Sequence, residues 1–167
     1  MVTLQSISEN NYEDVLKLKA SEDLVSPNWH SLSEAYVSLK KAVDENKPYI
    51  AYMPFAILHD DIVVGFAMIN FDDSDYFESG GNFFWLSRLM IDEKHQRKGY
   101  GTAAMKLLIE FIKTKPNGCE AKHLYTSYGS NNPSVTSIEG TAKTYAGLGF
   151  VKTGQMLGDE EVVRLIL

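Results

Sequence analysis

Residues 85–102, Trp-Leu-Ser-Arg-Leu-Met-Ile-Asp-Glu-Lys-His-Gln-Arg-Lys-Gly-Tyr-Gly-Thr, pass from an apolar strand pattern into a basic, glycine-punctuated turn and then into a helical pattern. Gly99 and Gly101 let the backbone approach an anion closely, and the helix that follows offers unpaired N–H groups and the positive end of its dipole. Arg97 and Lys98 add charge. That combination suits a diphosphate, so a nucleotide-bearing cofactor is the expected ligand. The G-x-x-x-x-G-K-[ST] loop of nucleoside triphosphatases is absent. Gly99 to Ala104 satisfies a relaxed G-x-G-x-x-A, but Asp92 to Lys98 separate the strand from the first glycine. Glu120, the acid at the distance a dinucleotide fingerprint requires, precedes the next apolar run instead of closing it.

What remains is Gln96-x-x-Gly99-x-Gly101 between a strand and a helix, followed downstream by Tyr145-Ala-Gly-Leu-Gly149-Phe150. The two motifs, in this order, resemble the acyl-CoA loop and the Tyr-x-x-x-Gly-Phe ending of the GNAT superfamily of N-acetyltransferases. Trp85-Leu86-x-Arg88-x-x-Ile91-Asp92 is similar to its bacterial spermine/spermidine and diamine acetyltransferases. The resemblance spans most of the chain. It implies an α+β (mixed α/β) fold, a central mixed, mostly antiparallel sheet flanked by about four helices, with two strands splayed at the acyl-CoA site. It also implies acetyl-CoA as cosubstrate and no metal. The pantetheine arm would pair with the backbone of Leu89, Met90 and Ile91, whose amide groups would also polarise the thioester carbonyl. The side chains of Leu89 and Ile91 read as ordinary buried strand residues. The pyrophosphate would sit on the backbone N–H groups of Gln96, Arg97, Lys98, Gly99, Tyr100, Gly101 and Thr102, helped by the Thr102 hydroxyl and a basic side chain. Asn131, Asn132 and Ser137 lie where similar enzymes touch the pantetheine or phosphates. Asn132 is farther upstream of Tyr145 than the family spacing, which implies inserted residues over Pro133 to Ser137. Tyr145 matches the family's general acid, which returns a proton to the departing thiolate, and a phenol with a pKa near 10 can do so.

A primary ammonium with a pKa near 10.4 must lose a proton before it attacks a thioester. Similar polyamine acetyltransferases carry a carboxylate where this chain has Ser87, and serine cannot act as that base. A water chain ending at Asp92, Glu78 or His95 is the alternative, with Ser87 positioning a water; Asp92 reads equally well as a turn or cap residue. Asp72, Asp73, Asp75 and Glu78, with Glu22 and Asp23, form either an acidic mouth for a diamine or polyamine or ordinary solvated loop acids. Three functions follow. The first is acetyl transfer from acetyl-CoA to a small cationic amine by direct attack in a ternary complex. The second is acetylation of a protein, peptide or amino acid on the same fold, and the third is a non-catalytic acyl-CoA binding module, suggested by Ser87.

The elements that must position these groups follow from periodicity. Residues 3–7 read as a first strand, and Asn10 or Asn11 caps a helix with Val15, Leu16 and Leu18 facing inward. Pro27-Asn28-Trp29 interrupts, and Ser31-x-x-Glu34 opens a second helix as a capping box. Residues 55–59 and 62–70 form a hairpin across Asp60-Asp61, although the turn lacks the favoured glycine. An acidic loop leads to a strand over 83–91, and Ala103, Ala104, Leu107, Leu108 and Phe111 mark one face of the helix after the glycine loop, stopped by Pro116-Asn117-Gly118. A strand over 122–128, a helix from Val135 or Thr136 to Leu148, and strands over 150–153 and 161–167 complete the order.

With 167 residues, 44% hydrophobic and 23% charged, the chain is read as a single catalytic domain over 1–167. A net charge of -6 argues against nucleic acid as partner and favours a cationic small molecule. One cysteine, Cys119, leaves no disulfide framework and no zinc ligand set. No run of about 18 apolar residues and no leader pattern occurs, so the expectation is a cytoplasmic protein off the membrane. Similar enzymes are often homodimers.

Overall fold

The computed structural model of the chain describes residues 1–19, 52–72, 77, 81–129 and 138–167. The elements run β1 (Val2–Ser6), α1 (Tyr12–Leu16), β2 (Tyr52–His59), β3 (Ile62–Asp72), β4 (Phe83–Ile91), α2 (Tyr100–Lys113), β5 (His123–Tyr128), α3 (Ile138–Gly147), β6 (Val151–Leu157) and β7 (Glu160–Ile166). The helix expected after Ser31 and the break at Pro27 to Trp29 lie outside the described residues. Among the described residues seven strands share one sheet in the order β1-β2-β3-β4-β5-β7-β6. Each neighbouring pair is antiparallel except β4 and β5. A parallel pair needs a crossover, and α2 supplies it. This is the mixed, mostly antiparallel α+β sheet the sequence implies.

The hairpin between β2 and β3 forms without glycine because Asp60 and Asp61 both adopt left-handed backbone, with φ of 50° and 64°. Aspartate tolerates that region better than most residues, and two such residues in succession give the turn whose twist matches the strands. Asn11 stands at the start of α1 but does not cap it. Its side chain instead accepts from Ser8 N–H at 2.9 Å and donates to the Ser6 carbonyl at 3.0 Å, closing the turn before the helix.

One sheet face packs on α2 and α3 through Phe55, Ile57, Ile69, Leu86, Leu124 and Val163. On the other face Phe66 and Met68 meet Val15 of α1 and Leu18 just after it, while Phe83, Tyr125 and Val162 surround Phe77. Two expectations need correction. Leu16 is 40% exposed, leaving Val15 and Leu18 as the inward residues of that segment. In α2 the buried stripe is Ala104, Met105, Leu108, Ile109 and Ile112, and Leu107 is 38% exposed. Residues 103–112 are apolar nearly all round, so two overlapping stripes fit a helical period, and contact with the sheet selects the one that includes Met105 and Ile112. Burial of each such side chain contributes about 1.5–3 kcal/mol.

Gly65 sets the approach of β3 to the end of β4, because a Cβ there would lie 2.4 Å from the Met90 carbonyl oxygen and 2.7 Å from Ile91 Cδ1. Gly65→Ala is expected to destabilise the fold by about 1–3 kcal/mol, read by urea unfolding, because the nearest atom is backbone and cannot swing away. A variant as stable as the parent would show that the two strands slide apart freely at that point.

Candidate functional site

β4 and β5 pair at Phe84 with Leu124 and at Trp85 with Tyr125, and there the ladder stops. Beyond it β4 follows β3 to Ile91, while β5 follows β7 to Tyr128. A wedge therefore opens between them. Its cause is visible in the register: Ile69 pairs with Leu86 and Met68 with Arg88, so Ser87 is an extra residue on β4. Such a bulge bends and overtwists its strand. Ser87 Oγ donates to the Met68 carbonyl at 3.1 Å and locks the bulge. At the apex of the wedge Thr126 Oγ1 donates to the Leu86 carbonyl at 3.2 Å, taking the place of a strand N–H. Among the described residues the wedge side of β4 has no ladder partner beyond Trp85, so it presents an edge to which an extended ligand chain can pair.

The loop at the open end of the wedge is built in four steps. Asp92 N–H donates to the Val64 carbonyl at 2.9 Å, and its carboxylate accepts from the N–H groups of Lys94 and Lys19 at 3.1 and 3.0 Å. The acid thus caps the short 3-10 turn Glu93–His95 and ties it to the segment after α1. Gln96 Nε2 donates to the Ile91 carbonyl at 3.1 Å, pinning the loop back on β4. Arg97 and Gly99 then take left-handed backbone at φ 61° and 81°, on either side of Lys98. Alternation of backbone hand makes successive N–H groups converge, which is the geometry of an anion-binding nest. The first helical bond of α2 runs from Ala103 N–H to the Gly99 carbonyl at 3.0 Å, so the N–H groups of Tyr100, Gly101 and Thr102 have no partner inside the helix.

These parts face one cleft of about 610 Å³. Leu89 and Ile91 line it from β4, Gln96, Arg97 and Gly99 to Thr102 from the loop and α2, and Thr141, Thr144 and Tyr145 from α3. Of the residues expected there, Met90 turns its side chain to the opposite face, against the cluster of Phe66 and Met68. Lys98 is exposed and curls back to the Lys94 carbonyl at 3.2 Å. Asp72 pairs with Phe83, at the opposite end of the β3–β4 ladder from the glycine loop, and does not line the cleft. Asn131, Asn132, Ser137, Asp73, Asp75, Glu78, Glu22 and Asp23 lie outside the described residues. Sequence reasoning missed Gly140, Thr141 and Thr144 as cleft residues and Thr126 at the wedge apex. Small and hydroxyl residues one and four positions before Tyr145 on its helix were the available signal.

Tyr145 is 7% exposed, and the helix end fixes it there. Phe150 N–H donates to the Tyr145 carbonyl and Gly149 N–H to the Ala146 carbonyl, both at 3.0 Å, with Gly149 at φ 91°. This is a Schellman cap, and the Phe150 ring meets that of Tyr145 at 5.2 Å in the hydrophobic contact that goes with it. The Tyr-x-x-x-Gly-Phe spacing is thus the chemistry of a helix terminus that also sets the direction of one phenol. Burial pushes the Tyr145 hydroxyl above its ordinary pKa, the negative charge of Glu160 adds to this, and hydrogen bonding with Thr126 partly opposes it. The phenol stays protonated at neutral pH. Among the described residues no group of side chains could hold a metal ion, and no helix is long and apolar enough to cross a membrane.

An anion-nest geometry, an open strand edge and a protonated phenol thus meet in one cleft. The chain belongs to the acetyltransferase (GNAT) family, whose sequence profile matches residues 18–139. The spermine/spermidine N(1)-acetyltransferase of Bacillus subtilis (strain 168) is 28% identical over 157 residues, covering 93% of this chain and 91% of that protein. The crystal structure of the PaiA N-acetyltransferase from Thermoplasma acidophilum in complex with coenzyme A shares the fold at a TM-score of 0.66 and 12% identity, over 100% of this chain and 99% of that one. A GNAT family acetyltransferase from Elizabethkingia anophelis with acetyl-CoA bound does so at 0.59 and 13% identity, over 99% and 98%.

Gly99→Ala places a Cβ on left-handed backbone and is expected to lower stability by about 1–2 kcal/mol. Gly101→Ala, whose Cβ would sit an ordinary 3.6 Å from Ile91 Cγ1, should change it by no more than about 0.5 kcal/mol in the same thermal denaturation. Tyr145 offers a second test. Its folded pKa is raised above the unfolded value near 10, so its contribution to stability is complete below pH 10 and is lost as pH rises through the folded value. Tyr145→Phe should therefore lose less stability than the parent above pH 10 in a urea unfolding series.

Proposed function

We propose that this chain transfers an acetyl group from acetyl-CoA to a primary amine of a small cationic acceptor, a polyamine or diamine, by direct attack in a ternary complex. The observation that carries the reading is that the glycine loop, the open β4 edge and Tyr145 line one cleft. The backbone N–H groups from Gln96 to Thr102 hold the pyrophosphate, and Arg97 adds its charge. The wedge edge of β4 over Leu89 to Ile91 takes the pantetheine amides as an added strand and directs the thioester toward the apex. Tyr145 gives its proton to the thiolate as the C–S bond breaks. Direct attack is favoured over a thiol intermediate because Cys119 is 3% exposed, lies outside the cleft and is pushed above its ordinary pKa by burial. A cationic acceptor is supported by the net charge of -6 and by the activity named for the Bacillus subtilis relative.

The test is release of CoA thiol from acetyl-CoA with spermidine, spermine, putrescine, amino acids and short peptides, with products identified by mass spectrometry. Polyamine turnover is expected, and turnover of peptides or amino acids alone overturns the acceptor. Tyr145→Phe should lower kcat by about 100-fold or more while acetyl-CoA affinity is kept, and unchanged turnover would remove the phenol from the mechanism.

A further inference from the structure

The missing carboxylate at Ser87 leaves the amine without a proton acceptor on β4, and the other side of the wedge supplies one. Side chains alternate along β5, so Leu124, Thr126 and Tyr128 face α2 and α3 while Tyr125 and Ser127 face the opposite side of the sheet. Ser127 is opposite Val162 in the β5–β7 register, and Glu160 lies two residues before Val162, on the same face. Ser127 Oγ donates to Glu160 Oε2 at 2.5 Å, and both groups are partly buried. This pair stands one residue past Thr126, at the apex of the wedge and across the sheet from Tyr145. The influence of the Glu160 charge on the Tyr145 hydroxyl accords with their closeness through the gap.

We propose that Glu160, oriented by Ser127, is the proton acceptor that activates the amine, placed on one face of the wedge while Tyr145 serves the leaving group on the other. The assignment rests on the acetyltransferase reading above. With the loop, α2 and α3 covering the cofactor face, the amine reaches the carbonyl from the opposite face. On the face that carries Val162 there is a cavity of about 260 Å³ lined by Phe77, Gln155, Met156, Leu157 and Val162. Phe77, Met156, Leu157 and Val162 suit the methylene chain of an alkyl amine, and Gln155 gives the cavity a polar group beside them. The first ammonium proton goes to Glu160 and on to water. The neutral nitrogen then forms the C–N bond and the C–S bond breaks. The thiolate takes the Tyr145 proton, and the second nitrogen proton restores the phenol. The sum is ammonium plus thioester giving amide, thiol and one proton.

The neighbouring charges leave Glu160 free for this role. Glu161, beside it on β7, is held by Lys152 of β6 at 2.7 Å and by the Tyr128 hydroxyl of β5 at 3.0 Å. Asp159 lies in the β6–β7 turn and Arg164 farther along β7. The Ser127 hydroxyl orients Glu160 by its hydrogen bond to Oε2.

Steady-state kinetics with spermidine between pH 6 and 10 test the assignment on the parent, Glu160→Gln, Glu160→Asp and Ser127→Ala, with acetyl-CoA affinity measured on each. Glu160→Gln should bind acetyl-CoA as the parent does and lose about 100-fold in kcat/KM at pH 7, the deficit narrowing toward pH 10 as free amine replaces the base. Glu160→Asp, which keeps the carboxylate, should retain the parent pH profile at reduced rate, and Ser127→Ala should show a smaller loss. A Glu160→Gln variant within threefold of an active parent at every pH, or equally impaired at every pH, overturns the base and leaves the acetyltransferase reading standing. A parent that binds acetyl-CoA and acetylates no amine overturns both.

Discussion

The hydrogen bonds between β4 and β5 hold for two register pairs and then give way, and the wedge beside the cleft is the space that results. The parting is built into both strands. Each is bonded along its length to an antiparallel partner, β4 to β3 and β5 to β7, so neither loses its own support when the two diverge. Ser87 supplies the bend, as one residue too many on β4, and its hydroxyl keeps the extra residue in place. A sheet normally hides its backbone polar groups in neighbours; here, among the described residues, a run of them has no strand partner inside an otherwise paired sheet.

The surrounding elements then serve the gap. Asp92, Gln96 and the left-handed residues Arg97 and Gly99 turn the chain from β4 into α2 so that the first N–H groups of the helix face the cleft. Met105, Leu108 and Ile112 anchor that helix on the sheet, so the loop is attached to a rigid base. On the far side α3 brings Tyr145 to the wedge, where burial keeps its proton on. An arrangement of phenol, strand edge and anion nest is thereby assembled from elements separated along the chain.

The parts of this arrangement that local chemistry dictates could be read from the residues. The strand over 83–91, the glycine loop and the helix after it are set by an apolar run, by glycines at turn positions and by helix-forming periodicity, and they appear with those bounds at β4 and at the start of α2. What depended on packing could not be read. Leu107 and Met105 are equally apolar, and only the sheet decides that Met105 goes inside. Ser87 reads as a replaced base, yet its hydroxyl is spent on a bulge, since a register shift leaves no local mark in the sequence. Asp92 was ambiguous between base and cap until its two N–H donors fixed it as a cap. The approach of Ser127 to Glu160 joins strands brought together by the β5–β7 ladder, a pairing that neither strand announces alone.

The Schellman cap at Gly149 and Phe150 has a bearing on how such a chain can vary. Tyr145 is counted from the end of its helix, through the bonds that Gly149 and Phe150 make back to it, and not from the beginning. Residues gained or lost in the sequence ahead of Ile138 therefore leave the phenol's address unchanged. A change of length ahead of the helix is thereby uncoupled from the position of the phenol, which the far end of the helix alone sets.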